Sequence, residues 1–223
     1  MKDKNKIKKV ILNLIVFIIY LVFGIASFPN KKSVSNFNVM YFAISLIFTS
    51  IIIAFIYKDD LKKEFSSFRK DTKKNLLGCF KVFIILFLIT IFSNFIIDKL
   101  IGWTKIGTDS LIFPNMSSIA IYTILVLCIY MPFSEGIIFT KTINNIFDIK
   151  HFWPIISGVI YGVMQAGFKF NNKVFLASKI PYIIIGIIVA KVYDKNKNVF
   201  YPIFIWLFYY VFQLLIQSSA YWL

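Results

Sequence analysis

Long apolar runs separated by short polar segments dominate the pattern along the chain. A transmembrane helix needs roughly 20 mostly apolar residues, and only helices and closed barrels satisfy their own backbone hydrogen bonds in lipid. None of the runs alternates as barrel strands do. The predicted spans are 10–28, 38–57, 76–97, 117–134, 152–168, 174–193 and 199–217. The pattern therefore predicts an all-α protein, a polytopic transmembrane bundle of about seven spans.

The composition is that of a membrane protein, and it affects how the net positive charge is interpreted. Of the 223 residues, 59% are hydrophobic, whereas a soluble domain has about 45–50% apolar residues. The formal net charge is nevertheless +15. Because these charges lie in short loops between apolar runs, they indicate membrane topology and contact with anionic lipids, and no nucleic-acid partner is expected.

Basic residues are distributed unequally between alternate loops. With a cytoplasmic N-terminus, the loops on that side hold 17 Lys and Arg residues and those on the other side hold 6. Cytoplasmic loops are enriched in Lys and Arg. We therefore predict a multi-pass protein of the bacterial plasma membrane with its N-terminus in the cytoplasm and its C-terminus outside. The first run is expected to be an uncleaved anchor, with a cleaved signal peptide as the alternative.

The loops are too short to form a separate soluble domain, so we expect one integral membrane domain over 1–223. Its N-terminal part, 1–116, contains the largest polar segment, a basic cytoplasmic loop at 58–75. Three apolar residues recur in this loop at helical spacing, namely Leu61, Phe65 and Phe68. This spacing favours an amphipathic helix facing the anionic lipids of the cytoplasmic leaflet, and a solvated basic loop is the alternative.

An ionisable residue inside an apolar run is a functional candidate, because placing it in lipid costs a few kcal/mol. Glu135 is the acidic residue of the segment from Tyr130 to Lys141, which is otherwise mostly apolar. A carboxylate buried there can serve as a general base. The alternative is that Glu135 lies at the cytoplasmic end of its span and reaches water or Lys141.

Other polar residues have simpler expected roles. Asn94, Asp98, Gln165 and Gln213 are expected to form hydrogen bonds between helices, His151 to lie at the membrane boundary, and Lys179 to extend toward water or an anionic headgroup. One histidine and two cysteines, Cys79 and Cys128, exclude a multi-histidine zinc site and a disulfide framework. We therefore expect no metal and no cofactor.

The sequence around Glu135 resembles the CPBP family, which includes type II CAAX prenyl proteases, lysostaphin-resistance-like proteins and bacteriocin-processing membrane proteins. The resemblance defines a CPBP-like core at 117–217. The family's first motif is Pro-x-x-Glu-Glu-x-x-x-Arg. It is similar to the segment beginning at Pro132, in which Glu135 keeps the first glutamate, Gly136 replaces the second and Thr140 replaces the arginine.

Two further motifs carry the resemblance at the expected places. The second motif, Phe-x-x-x-His, is similar to Tyr161 followed by Gln165. The third, His-x-x-x-Asn or Asp, is similar to Trp206 followed by Tyr210. In the family, the glutamates activate water and the histidines hold the oxyanion or a reaction partner. The resemblance therefore implies one cavity lined by the side chains of Glu135, Gln165, Trp206, Tyr161, Tyr210 and Thr140.

The missing residues argue against peptidase activity. Losing a base partner or an oxyanion donor typically costs about 10²–10⁴ in rate, and both histidines and one glutamate are absent. The favoured function is a pseudoprotease, a scaffold or regulator that binds another integral membrane protein or a membrane peptide, in cell-envelope enzyme regulation or bacteriocin immunity. The alternatives are an active CPBP intramembrane glutamic endopeptidase in which Glu135 activates water, and a small transporter subunit. The transporter is disfavoured because the sequence has no internal repeat.

Overall fold

The computed structural model describes residues 2–25, 36–101, 126–147, 149, 152–165 and 173–219. Its helices are α1 (Lys2–Ile19), α2 (Asn36–Ile56), α3 (Lys58–Arg69), α4 (Thr72–Ile101), α5 (Met131–Gly136), α6 (Ile143–Phe147), α7 (Trp153–Gln165), α8 (Lys173–Asn196) and α9 (Phe200–Ser219). π-helical turns extend α1 at Tyr20–Ile25 and flank α5 at Val126–Tyr130 and Ile137–Thr142. The described part of the chain is therefore all-helical, as the apolar pattern predicts.

The helices overlap the described parts of the predicted spans, but the helix through Glu135 continues to Phe147, beyond the predicted end of its span at 134. The apolar lengths of the helices also differ. The stretch Thr72–Ser93 of α4 is long and apolar enough to cross a membrane, with a mean hydropathy of 2.5 and 17% of it buried inside the protein. Shorter apolar stretches lie at Ala43–Ile56, Trp153–Met164 and Phe200–Gln213. Within the described residues the structure thus supports a membrane location with one clear span, and the number seven stays a prediction.

The segment 58–75 is not a loop. It consists of α3 and the first turn of α4, joined by two residues, so the amphipathic-helix interpretation holds and the solvated loop does not. Phe68 is 2% exposed, and its ring centroid lies 5.1 Å from those of Tyr201 and Phe204. Burying this aromatic side chain against α9 contributes to ordering the segment.

A buried ion pair ties α3 to the rest of the bundle. The Lys141 ammonium lies 2.5 Å from Glu64 Oε1 and 2.7 Å from Asp60 Oδ2, while Lys141 is only 7% exposed. The other Glu64 oxygen accepts the Val199 N–H at 2.7 Å. Glu64 therefore joins α3 both to the helix that contains Glu135 and to the start of α9.

A polar cluster lies on the neighbouring helices. The Tyr57 hydroxyl donates to Asn13 Oδ1 at 2.5 Å and lies 2.8 Å from the Thr142 hydroxyl. Asn145 Nδ2 donates to the same Asn13 oxygen at 3.2 Å. These bonds connect α1, the end of α2 and α6, so they close the same end of the bundle as the Lys141 ion pair.

Glycine packing brings α7 and α8 into backbone contact. A Cβ atom added at Gly158 would lie 2.6 Å from the Ile183 carbonyl oxygen and 2.8 Å from the Ile187 nitrogen. A Cβ atom at Gly186 would lie 2.8 Å from the Gly158 Cα. Gly158 and Gly162 form a Gly-x-x-x-Gly pattern, the arrangement by which membrane helices approach closely.

We predict that Gly158→Ala lowers the free energy of unfolding by about 1–3 kcal/mol, because its methyl group overpacks the contact with α8. Gly78→Ala is the matched control, since a Cβ atom there meets nothing within 4 Å. The control should be neutral or slightly stabilising, because alanine favours the helix by up to about 1 kcal/mol. Unfolding temperatures in mild detergent measure both changes. Equal shifts in the two variants would contradict the close packing.

Candidate functional site

Glu135 lies in a helix whose winding changes twice. The six-residue α5 carries Pro132 in its first turn and is flanked on both sides by π-helical turns. Proline lacks an N–H group and therefore removes a hydrogen bond at this point. π-helical turns inside helices occur frequently at functional sites. The backbone therefore departs from regular winding on both sides of the candidate residue.

The Glu135 carboxylate is buried and held by tyrosine hydroxyls. Its exposed fraction is 0%, and the Tyr210 hydroxyl donates a hydrogen bond to Glu135 Oε2 at 2.7 Å. The Tyr20 hydroxyl, at the end of the first helix, also hydrogen-bonds to this carboxylate. Lys141 instead pairs with acidic residues of α3. The alternative in which Glu135 reaches water or Lys141 is thus wrong, because the bundle closes around the carboxylate.

Aromatic rings pack around the two hydrogen-bonded residues. The Tyr161 hydroxyl hydrogen-bonds to the Tyr210 hydroxyl, and the Tyr161 ring centroid lies 4.8 Å from that of Trp206. Trp206 is 0% exposed, and its indole N–H has no hydrogen-bond partner among the described residues. Phe139 closes the other side of Tyr161, with the ring centroids 4.9 Å apart. Glu135, Tyr161, Trp206 and Tyr210 are therefore brought together, as the resemblance implies.

Gly136 is where the α5 backbone touches α9. A Cβ atom there would lie 2.7 Å from Ile203 Cγ1, 3.0 Å from the Ile203 nitrogen and 3.1 Å from its Cα. This position corresponds to the second glutamate of the family motif. A glutamate, or any other side chain, therefore fits at this position only if Ile203 of α9 shifts.

The remaining predicted site residues have different surroundings. Thr140 is 0% exposed, and its hydroxyl donates to the Gly136 carbonyl oxygen of the same helix. Gln165 is the last residue of α7, and its side chain lies outside the described part of the structure. A hydrogen bond between Gln165 and Glu135 therefore stays a prediction.

The residues that were expected to have simpler roles also differ in their surroundings. Lys179 is 3% exposed, so it points into the bundle and not toward water. Gln213 hydrogen-bonds to Tyr209 of its own helix. His151 and the side chains of Asn94 and Asp98 lie outside the described residues. Where side chains are described, no group of three or more His, Cys, Asp or Glu residues is placed to hold a metal ion.

Sequence reasoning missed two contributors to the site. Tyr20 gave no signal, because an aromatic residue inside an apolar run is ordinary in a membrane helix. Ser134 lies beside Glu135 in the motif, and its hydroxyl is 2.8 Å from that of Ser50 in α2. Small hydroxyl residues in apolar helices are a weak sign of such contacts between helices.

Comparison with known proteins places the site within a family pattern. Residues 117–212 match the family model described as type II CAAX prenyl endopeptidase Rce1-like. The match starts where the predicted CPBP-like core starts and covers somewhat less than half of the chain, including Glu135, Gln165 and Trp206. It confirms the resemblance to the CPBP family. No curated protein and no solved structure matches the chain.

We predict that Tyr210→Phe lowers the free energy of unfolding by about 1–3 kcal/mol, because it leaves a buried carboxylate oxygen without its donor. Tyr201→Phe is the control, since it also removes one hydroxyl hydrogen bond, to Asn75, at a half-buried position. Water can replace that bond, so the control should cost about 1 kcal/mol or less.

A double-mutant cycle isolates the Tyr210–Glu135 contact. Tyr210→Phe combined with Glu135→Leu should cost less than the sum of the two single changes, because neither polar partner is then left unpaired by the other. Thermal unfolding of the four proteins supplies the cycle. Additive losses would show that the hydroxyl and the carboxylate do not interact.

Proposed function

Because residues 117–212 match the type II CAAX prenyl endopeptidase Rce1-like family model, we propose that the chain is a catalytically degenerate CPBP protein that works by binding. Its partner is another integral membrane protein or a membrane peptide. The observation that carries the proposal is the state of Glu135, the one glutamate kept from the first motif. Its carboxylate is fully buried and accepts a hydrogen bond from Tyr210.

A general base must offer a lone pair to the water that it activates, within about 2.6–3.2 Å. Glu135 Oε2 accepts the Tyr210 hydroxyl at 2.7 Å, and Tyr20 donates to the same carboxylate. These two donors take two of the about four lone-pair positions of the carboxylate, and its complete burial separates the carboxylate from bulk water. The hydrogen bonds thus turn the carboxylate into part of the packing between helices.

The site is also less able than an active family member to stabilise the negative oxyanion that forms during peptide cleavage. In active members, histidines hold the oxyanion, and the corresponding positions here are Gln165 and Trp206. An indole N–H can donate a hydrogen bond but cannot transfer a proton as an imidazole can. The Trp206 ring lies against Tyr161 at 4.8 Å, where it fills the space between α7 and α9.

Packing at Gly136 supports the same conclusion by a steric route. A second glutamate would have to displace the Ile203 backbone, whose nitrogen and Cα would lie 3.0 Å and 3.1 Å from a Cβ atom at this position. The loss of the second glutamate is therefore coupled to the approach of two helices. To act as a peptidase, the protein would need the missing side chains, and α9 would also have to move away from Gly136.

The binding role draws on the exposed apolar surface. Less than a fifth of the apolar stretch of α4 is buried within the protein, and its large side chains face outward, among them Leu88, Phe92 and Phe95 at 58%, 65% and 58% exposure. Such a surface accepts lipid or the helix of another membrane protein. We propose a partner from cell-envelope enzyme regulation or bacteriocin immunity.

An active intramembrane endopeptidase is the second candidate, because Glu135 is kept at the position of the family's first glutamate. This function needs Tyr20 or Tyr210 to release the carboxylate when substrate binds. It predicts cleavage that disappears in Glu135→Gln, whereas the scaffold role predicts binding that survives the same change.

The decisive experiment incubates the purified, reconstituted protein and its Glu135→Gln variant with prenylated CAAX peptides and measures cleavage by mass spectrometry. We expect no cleavage that depends on Glu135, while an active CPBP endopeptidase cleaves in the same assay. Gly136→Glu combined with Gln165→His and Trp206→His should not gain activity, because a glutamate at this position can enter only by displacing Ile203 of α9. Glu135-dependent cleavage by the wild-type protein would overturn the proposal.

Binding is tested in mild detergent with tagged protein expressed in its native membrane. A defined membrane protein or peptide should co-purify in a fixed ratio with both the wild type and Glu135→Gln. Phe92→Ala on the exposed surface of α4 should reduce that ratio. Phe55→Ala is its control, because Phe55 lies on α2 and is 80% exposed. Purification with lipid alone would refute the scaffold role.

We further propose seven spans with the N-terminus in the cytoplasm. Three segments with predicted cytoplasmic positions meet at one end of the bundle, since Lys141 pairs with Glu64 and Asn198 Nδ2 donates to the Glu64 carbonyl oxygen at 2.7 Å. A cysteine introduced at Asn172 or Leu223 should then react with an impermeant reagent added outside, and one at Lys73 should not. The reverse labelling would refute this topology.

A further inference from the structure

Exposed cations run along one face of α3, away from the Glu135 site. Four residues follow one another at intervals of four, three and four, which places them on one helix face. They are Lys58, Lys62, Phe65 and Arg69, and all four are exposed. Phe65 has 47% of its surface exposed. We name these four residues the α3 stripe.

The acidic residues of α3 do not neutralise this stripe. Asp60 and Glu64 lie four residues apart and both reach Lys141, at 2.7 Å and 2.5 Å. The Glu64 side chain is only 14% exposed. Asp59 remains exposed, about a quarter turn around the helix from Lys58. Lys141 therefore offsets part of the negative charge of Glu64 and of Asp60, whose side chain is 55% exposed. The stripe itself contains no acidic residue and stays cationic.

The position of α3 in the chain places the stripe at the edge of the apolar surface. α3 follows α2, whose apolar stretch ends at Ile56. It precedes α4, whose exposed apolar side chains begin at Leu77 and Phe80, with 53% and 44% exposure. The stripe thus lies within about two turns of two lipid-exposed helices, and its aromatic member lies beside its cations.

We propose that the α3 stripe binds the anionic headgroups of the adjacent leaflet. Lys and Arg donate charge-assisted hydrogen bonds to phosphate oxygens. The Phe65 ring lies 5.1 Å from the Phe200 ring on one side, and its exposed part faces the boundary of the acyl chains. Interfacial helices combine these two features, basic residues and aromatic side chains. The leaflet is the occupant because the apolar surface of α4 begins next to the stripe.

The lipid contact also fixes the Glu135 site from a distance. Glu64 holds Lys141 of the Glu135 helix and the Val199 N–H at the start of α9. A leaflet that holds α3 therefore steadies the ends of the two helices that carry Glu135 and Tyr210. The inference concerns the lipid surface and does not depend on whether the Glu135 site is catalytic.

The test follows the unfolding temperature of the full-length protein in mixed micelles. Phosphatidylglycerol replaces phosphatidylcholine at constant total lipid, and inorganic phosphate is added in a separate series. We expect the unfolding temperature to rise with phosphatidylglycerol and not with the other two. The rise should shrink in about 1 M salt, where the Debye length falls to about 3 Å. An equal rise with phosphatidylcholine or inorganic phosphate would overturn the proposal.

Two variants with equal loss of charge locate the site. Lys58→Gln, Lys62→Gln and Arg69→Gln together should raise the phosphatidylglycerol fraction needed for half of the effect until little of the rise remains, because each cation contributes about fivefold to the affinity for an anionic surface. Lys63→Gln, Lys70→Gln and Lys195→Gln remove three exposed cations outside the stripe, two of them on α3 or at its C-cap, and should leave that fraction close to the wild-type value. Equal effects of the two triple variants would refute the stripe. If the first variant does not fold, the lipid and salt series on the wild type still decide.

Discussion

A carboxylate enclosed in an apolar bundle has to receive hydrogen bonds, and this requirement at Glu135 organises the helices around it. An unpaired charge in such surroundings is strongly destabilising. The donors here are Tyr20, after the first helix, and Tyr210, in the last helix. One side chain therefore draws both ends of the described chain to the same point. The rings of Tyr161 and Trp206 then fill the space that the hydroxyls leave.

A second polar requirement acts six residues further along the same helix. The nearly buried ammonium of Lys141 needs carboxylates, and α3 supplies both Asp60 and Glu64. The Glu64 side chain is 14% exposed and that of Asp60 is 55% exposed, so the ammonium depends mainly on Glu64, and losing this partner would leave a nearly buried charge uncompensated. This pairing explains why a strongly charged segment is ordered against the core. Because the pairing also draws Glu64 inward to 14% exposure, the exposed face of the segment loses one acidic residue.

The sequence predicted those features that depend on local patterns. Helix positions followed from apolar runs, and Glu135, Tyr161, Trp206 and Tyr210 followed from motif spacing and from the isolation of one acid. It did not predict the Tyr20 contact, the pairing of Lys141 with Glu64 or the contact of Gly136 with Ile203. Each of these joins residues far apart in the chain, and a single sequence carries no record of such pairs. The number of spans depends on where the membrane lies, which apolar length alone determines poorly.

The glycine contact between α7 and α8 implies an order of assembly. Gly158 meets Gly186 across two helices that are consecutive in the chain, so forming this contact closes only a short loop and costs little entropy. The Tyr210 hydroxyl reaches Glu135 across 75 residues, and Tyr20 is farther still. Contacts over long separations form slowly. The α7–α8 hairpin is therefore the expected nucleus, and the first helix, although synthesised earliest, waits for the last helix before its tyrosine is fully surrounded. The hydroxyl contacts at Glu135 thus mark the completion of folding.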